Sequence, residues 1–128
     1  MAATFEALDF LYMPSRDPAA ELAHFEAQLG AEVVFAIEAF DTRVAMLRLG
    51  DGPALLLAGH LDGERPFLVY RVADLEAAIA GLEGSAGARF EIPFGPGCEV
   101  AAPGGHRLAI YQRTRPEMSE RLAGRRDF

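Results

Sequence analysis

Apolar and polar positions repeat in two similar blocks. In the first, an alternating apolar stretch around Phe10 is followed by Asp17-Pro18 and by Leu22, Phe25 and Leu29 at helical spacing, with Gly30 behind them. Aspartate before proline is an N-cap with proline at the first helical position, and glycine after the last apolar residue is a stop. In the second block, Asp74 caps a stripe of Leu75, Ile79 and Leu82, ended by Gly84 to Gly87. Strand-like runs follow each helix. They are Glu32–Phe40, Arg43–Leu49 and Ala54–Ala58, with turns at Asp41 and Gly50-Asp51-Gly52, then Arg89–Ile92, Glu99–Ala101 and Arg107–Gln112, with turns at Gly95-Pro96-Gly97 and Pro103-Gly104-Gly105.

A shift of 57 residues aligns the blocks without a gap: Phe10 falls on Phe67, Leu11 on Leu68, Asp17 on Asp74, Leu22 on Ile79, Glu26 on Glu83 and Gly30-Ala31 on Gly87-Ala88. Each half then reads strand, helix, three strands. Such a unit leaves one sheet face without a cover, and two of them paired form a curved mixed sheet with a cleft on its open side, where a small ligand is expected. The tail from Arg115 to Phe128 has Glu117 and Glu120 ahead of Arg121, Arg125 and Arg126, with Gly124 as a stop. That order predicts a short helix turning Met118 and Leu122 inward.

The chain has 128 residues, 51% of them hydrophobic, and 12 basic against 19 acidic residues give a net charge of −7. That suits one globular domain and argues against a nucleic-acid partner. The lone Cys98 forms no internal disulfide, the N-terminus MAATFEALDF lacks a basic leader region, and no apolar run is long enough for a membrane span. A cytoplasmic protein is expected.

Three segments, LYMPSRDPAAELAHFEAQLG (Leu11 to Gly30), VYRVADLEAAIAGL (Val69 to Leu82) and FGPGCEVAAPGGHRLAIY (Phe94 to Tyr111), stand in this order on the repeat. Through them the chain to about Arg113 resembles the vicinal oxygen chelate proteins, the superfamily of glyoxalase I, extradiol dioxygenases and bleomycin-resistance proteins. The resemblance implies an α+β fold of two βαβββ modules forming a curved mixed sheet around a cleft. A single domain over 1–113 is expected, with modules at about 4–60 and 64–113, followed by a helical tail over 114–128. It also implies a divalent metal held by side chains from the first and last strand of each module. The corresponding positions are Phe10 and Phe67, each seven residues before its capping aspartate, and Leu56 and Ala109, counted from the glycine turns at Gly52 and Gly105. All are apolar, so no metal or other cofactor is expected.

Asp9, His60, Cys98, Glu99 and His106 are the donors available to a rearranged site, but none shows ligand spacing; both histidines read as solvated loop residues, His24 as a wet helix edge and Cys98 as a small half-buried turn residue. The period of two along strands instead places Leu8, Phe10 and Tyr12, then Phe67, Val69 and Arg71, then Arg107, Ala109 and Tyr111 on the cleft side, together with Leu56. Phe10 and Phe67 could grip a flat ligand while Arg71 or Arg107 pairs with its anionic group, or the same apolar side chains could simply fill the cleft as core. The first reading is a metal-free binder of a small hydrophobic or aromatic molecule, and a homodimer. The others are an enzyme, with displaced metal ligands or with Tyr111, Glu99 or His106 as metal-free acid/base, and a dimeric regulatory module with a filled cleft.

Overall fold

The computed structural model describes residues 4–128; residues 1–3, part of the stretch read for a leader, lie outside it. The chain divides into two compact units. The first joins Phe10–Pro66 to Glu120–Phe128, and the second joins the described part of Met1–Asp9 to Phe67–Ser119. In the first, β1 (Ala7–Pro14, from Phe10 on), α1 (Pro18–Leu29), β2 (Glu32–Ala39), β3 (Thr42–Arg48) and β4 (Ala54–Ala58) form a sheet ordered β2-β3-β4-β1. In the second, β5 (Phe67–Arg71), α2 (Leu75–Ala80), β6 (Ala86–Ile92), β7 (Gly95–Val100) and β8 (Leu108–Tyr111) are ordered β5-β8-β7-β6. Each unit is a βαβββ module of α+β type with one parallel pair, β1 with β4 or β5 with β8, and antiparallel pairs elsewhere.

Strand register carries the repeat further. Tyr12 is opposite Leu56 and Val69 is opposite Ala109. Tyr12 and Val69 are 69 − 12 = 57 residues apart, the shift of the repeat, so Leu56 and Ala109 hold equivalent places in their units.

The caps act as their residue types dictate. Asp17 accepts from the Ala20 N–H at 3.1 Å and Asp74 from the Ala77 N–H at 3.1 Å. Gly30, at φ +67°, closes α1 by donating its N–H to the Phe25 carbonyl. Leu22, Ala36, Ala45, Leu47, Leu55 and Leu57 make the core of the first unit. Val72, Leu75, Ala78, Cys98 and Ile110 make that of the second.

Several local expectations are corrected. Leu29 is 52% exposed rather than buried, because it sits in the last turn of α1, where the chain turns away at Gly30. Helix α2 stops at Ala80, and Gly87 belongs to β6 rather than to a helix stop. Phe40 leaves β2 for the hairpin turn, with Phe40 and Asp41 both left-handed at φ 52° and 60°. Gly95-Pro96-Gly97 is not a turn but the start of β7; the turn is Pro93-Phe94, between the paired Ile92 and Gly95. These glycines serve close approach, since a Cβ on Gly95 would lie 1.8 Å from the Gln112 carbonyl oxygen and one on Gly97 would lie 2.3 Å from the Phe90 ring. Cys98 is therefore a fully buried strand residue rather than a half-buried turn residue.

The tail is helical only over α3 (Met118–Leu122), where Leu122 is buried. Beyond Gly124 it runs extended along β2: the Gly124 N–H donates to the Val34 carbonyl at 2.8 Å, the Ala36 N–H to the Arg125 carbonyl at 2.8 Å and the Asp127 N–H to the Ala36 carbonyl at 2.6 Å. An edge strand offers unpaired main-chain groups, and this segment satisfies them. At the other end, the Glu6 N–H donates to the Arg71 carbonyl at 2.8 Å, which holds the start of β1 beside β5. No described helix is long and apolar enough to cross a membrane.

Candidate functional site

The chemistry of the second unit gathers where the start of β1 meets β5 and β8. Parallel pairing puts Arg71 opposite Tyr111, two rungs beyond the Val69–Ala109 pair and so with the same parity. Tyr111 donates its phenolic O–H to Asp9, and Arg71 Nη1 donates to the same carboxylate at 3.1 Å. Arg71 Nε reaches Glu6 at 3.3 Å. Tyr111 is only 1% exposed. Asp9 and Arg71 keep 20% and 32% of their side chains in solvent, so the charged groups remain reachable while the phenol ring does not.

Burial raises the Tyr111 phenol above its ordinary value, and the hydrogen bond and charge of Asp9 push it further against the opposing charges of Arg71 and Arg113. The phenol therefore stays protonated and donates. Arg71 is held still more firmly in its charged form, chiefly by Asp9. A carboxylate set between a neutral O–H donor and a guanidinium can take and return a proton beside a fixed positive charge, with no metal needed.

The same strands carry an apolar group. Val69 and Ala109 are fully buried, Phe67 is 6% exposed, and Arg107 lays its guanidinium over the Phe67 ring, 3.9 Å from the centroid. The two arginines expected to greet a ligand are thus already engaged, Arg71 by carboxylates and Arg107 by an aromatic face.

In the first unit Phe10, Tyr12 and Leu56 are all buried. The Tyr12 hydroxyl is hydrogen-bonded to His60 Nε2 at 3.0 Å, and His60 Nδ1 is 3.3 Å from the Thr42 hydroxyl. His60 is exposed, as expected for a loop histidine, yet both of its ring nitrogens have partners. Burial pushes the Tyr12 phenol up to about 12. His24 and His106 are exposed, and Glu99 pairs in register with Ala109.

No protein-family model and no curated protein matches the sequence. Solved structures do. A methylmalonyl-CoA epimerase from Mycobacterium tuberculosis aligns at TM-score 0.70 and 18% identity, over 94% of this chain and 95% of that one. A methylmalonyl-CoA epimerase in complex with methylmalonyl-CoA and NH4+ aligns at 0.69 and 16%, over 87% and 96%. A glyoxalase/bleomycin resistance protein/dioxygenase superfamily member from Vibrio splendidus 12B01 aligns at 0.60 and 22%, over 85% and 99%.

The chain has the vicinal oxygen chelate fold.

The metal implied by the vicinal oxygen chelate fold does not fit these residues. Phe10, Leu56, Phe67 and Ala109 offer no donor atom and are buried. Among the described residues, no three of histidine, cysteine, aspartate and glutamate come together as a metal would require. What sequence reasoning missed is the pairing of Asp9 with Tyr111 and Arg71. Strict alternation along β1 puts Asp9 on the side opposite Leu8 and Phe10, whereas its carboxylate meets two residues assigned to the cleft side. An acidic residue inside an otherwise apolar strand, with a tyrosine and an arginine at strand ends, was the available signal.

Proposed function

We propose that the protein is a cytoplasmic, homodimeric, metal-independent acid–base enzyme that moves a proton at a carbon next to a carbonyl in a small organic substrate. The observation that carries this is the Asp9 carboxylate, partly open to solvent and held by the Tyr111 hydroxyl and Arg71. The likeness in fold to proteins named epimerases supports the reaction class. In the step, Asp9 takes the proton from the carbon, and the electron pair of the C–H bond moves into the carbonyl to give an enolate, whose charge Arg71 offsets. Return of the proton from Asp9, to either face, completes the cycle with no net change in atoms or electrons. Asp9 is the catalytic base. Tyr111 is a positioning residue that fixes the carboxylate and, being kept protonated, stabilises it between turnovers.

The test is proton NMR in D2O, following loss of the α-proton signal from a panel of 2-substituted acyl thioesters and 2-oxo acids, with and without EDTA. Exchange is expected to survive EDTA, to fall at least about 100-fold in Asp9→Asn and to fall about tenfold in Tyr111→Phe with a shifted pH profile. Exchange abolished by EDTA, or unchanged in Asp9→Asn, overturns the proposal. A second reading, a metal-free binder of a hydrophobic or aromatic molecule, draws on the Arg107–Phe67 stack. Saturable binding by the panel without exchange, weakened by Phe67→Ala, favours that reading and overturns the enzyme.

A further inference from the structure

The two outer strands are finished differently. Strand β2 carries the tail segment along its free side. Strand β6 ends the order β5-β8-β7-β6, and β7 is its partner among the described residues. Residues 86–89 and Glu91 are exposed on it, and Ala86-Gly87-Ala88 puts no bulk in the way of an approaching strand.

The direction of its free groups follows from one residue. Glu91 is opposite Pro96, which has no N–H, so the main-chain groups of Glu91 point away from β7. Alternation turns those of Arg89, opposite Cys98, the same way. Charge is arranged to match: on a chain of net −7, β6 carries one arginine and one glutamate and is neutral. Both side chains now make exposed pairs, Arg89 with Glu76 and Glu91 with Arg115, each at 2.8 Å.

We propose that β6 is the surface on which a second copy of this chain docks, strand against strand and antiparallel, with the two-fold axis at Phe90. This rests on the homodimer proposed above and names its surface. In that arrangement each Arg89 is opposite Glu91 of the other copy, the outward N–H and carbonyl groups of both residues pair, and opposite charges meet twice by symmetry. Charged residues and a bulge, here between Ala86 and Arg89, ordinarily protect an edge from pairing. Under this two-fold axis the charges attract instead, and the bulge confines the ladder to residues 88–92. A ladder this short buries less than the ~1,200 Å² of a typical stable interface, so dissociation in the range of ~1–100 μM is expected.

Sedimentation velocity from ~1 to ~500 μM gives the dissociation constant, and amide hydrogen exchange at both ends of that range locates the surface. Arg89→Glu places like charges opposite one another and is expected to weaken the dimer at least about tenfold, while Arg89→Glu with Glu91→Arg restores it to within about threefold. Arg89→Ala, run in parallel, removes the Glu76 pair and the attraction to Glu91 of the other copy without adding a like charge, and is expected to weaken the dimer less than Arg89→Glu. The Arg89 and Glu91 amides are expected to slow only at high concentration. A monomer throughout overturns both the homodimer and this surface. A dimer indifferent to Arg89→Glu, with both amides exchanging equally at either concentration, overturns the surface and leaves the homodimer standing.

Discussion

The two units share a topology and a register but differ in what their buried tyrosine meets. In the first, Tyr12 on β1 reaches the exposed imidazole of His60. In the second, Tyr111 on β8 reaches a carboxylate that also has a guanidinium beside it. The duplicated scaffold carries its buried tyrosines on non-equivalent strands, Tyr12 on the first strand of its module and Tyr111 on the last, and the neighbours met there decide whether a phenol faces a solvated ring or a charged pair. The units also use glycine differently: those of β7 allow main chain and a ring to pack against the strand, whereas Gly59, after β4, has only ordinary neighbours plus the Thr42 hydroxyl at 3.2 Å.

The largest test of this contrast is Gly95→Ala against Gly59→Ala. The new methyl at position 95 collides with the Gln112 main chain, and that stretch of β7 and the segment after β8 must separate. A loss of about 3 kcal/mol or more is expected by denaturant unfolding, against less than about 1 kcal/mol at position 59, where the Thr42 side chain can rotate. Equal costs at both sites would remove the distinction.

Tyrosine to phenylalanine comes next. Tyr111→Phe leaves Asp9 without its O–H donor and is expected to cost about 1.5–3 kcal/mol at neutral pH; Tyr12→Phe, whose partner His60 can turn to water, about 0.5–1.5 kcal/mol. Alkaline unfolding sharpens the comparison. Because burial raises Tyr12 from about 10 in the unfolded chain to about 12, its contribution is whole below pH ~10 and is lost as pH rises through 12, at up to about 1.4 kcal/mol per pH unit. Tyr12→Phe is expected to flatten the stability profile by about one proton in that window. Tyr111→Phe is expected to flatten it too, but over a range extending to higher pH. Profiles that superimpose on the parent would show that neither phenol stays buried on unfolding's native side.

The smallest effect expected is at the β2–β3 turn of the first unit, which has no counterpart of the same kind in the second. Phe40 is fully exposed with φ at 52°, a left-handed conformation poorly suited to an aromatic residue. Phe40→Asn is expected to stabilise by about 0.5–1 kcal/mol in thermal unfolding. A loss instead would mean that the ring packs in solution.

The repeat, both capping aspartates and the strand limits of β4 were legible because each depends on a few neighbouring residues. The Gly95-Pro96-Gly97 run misled because glycine for a turn and glycine for close approach look alike until the opposing Gln112 and Phe90 are placed. Cys98 was misjudged with it. Alternation and a count off a glycine turn are enough to single out Phe67, Val69 and Ala109, of which Val69 and Ala109 are opposite one another and all three are buried. Asp9 did not follow, since its partners lie 62 and 102 residues away and nothing local links them.

The tail strand has a consequence in time. Ala36 and Arg126 are 126 − 36 = 90 residues apart, so the contact that covers β2 closes a loop that takes in the whole stretch from β5 to β8. Such distant pairing is slow to form and costs the most chain entropy. During synthesis the outer strand of the first module must therefore wait, uncovered, until the entire second module has left the ribosome. A chaperone or a neighbouring nascent chain has that interval in which to meet it.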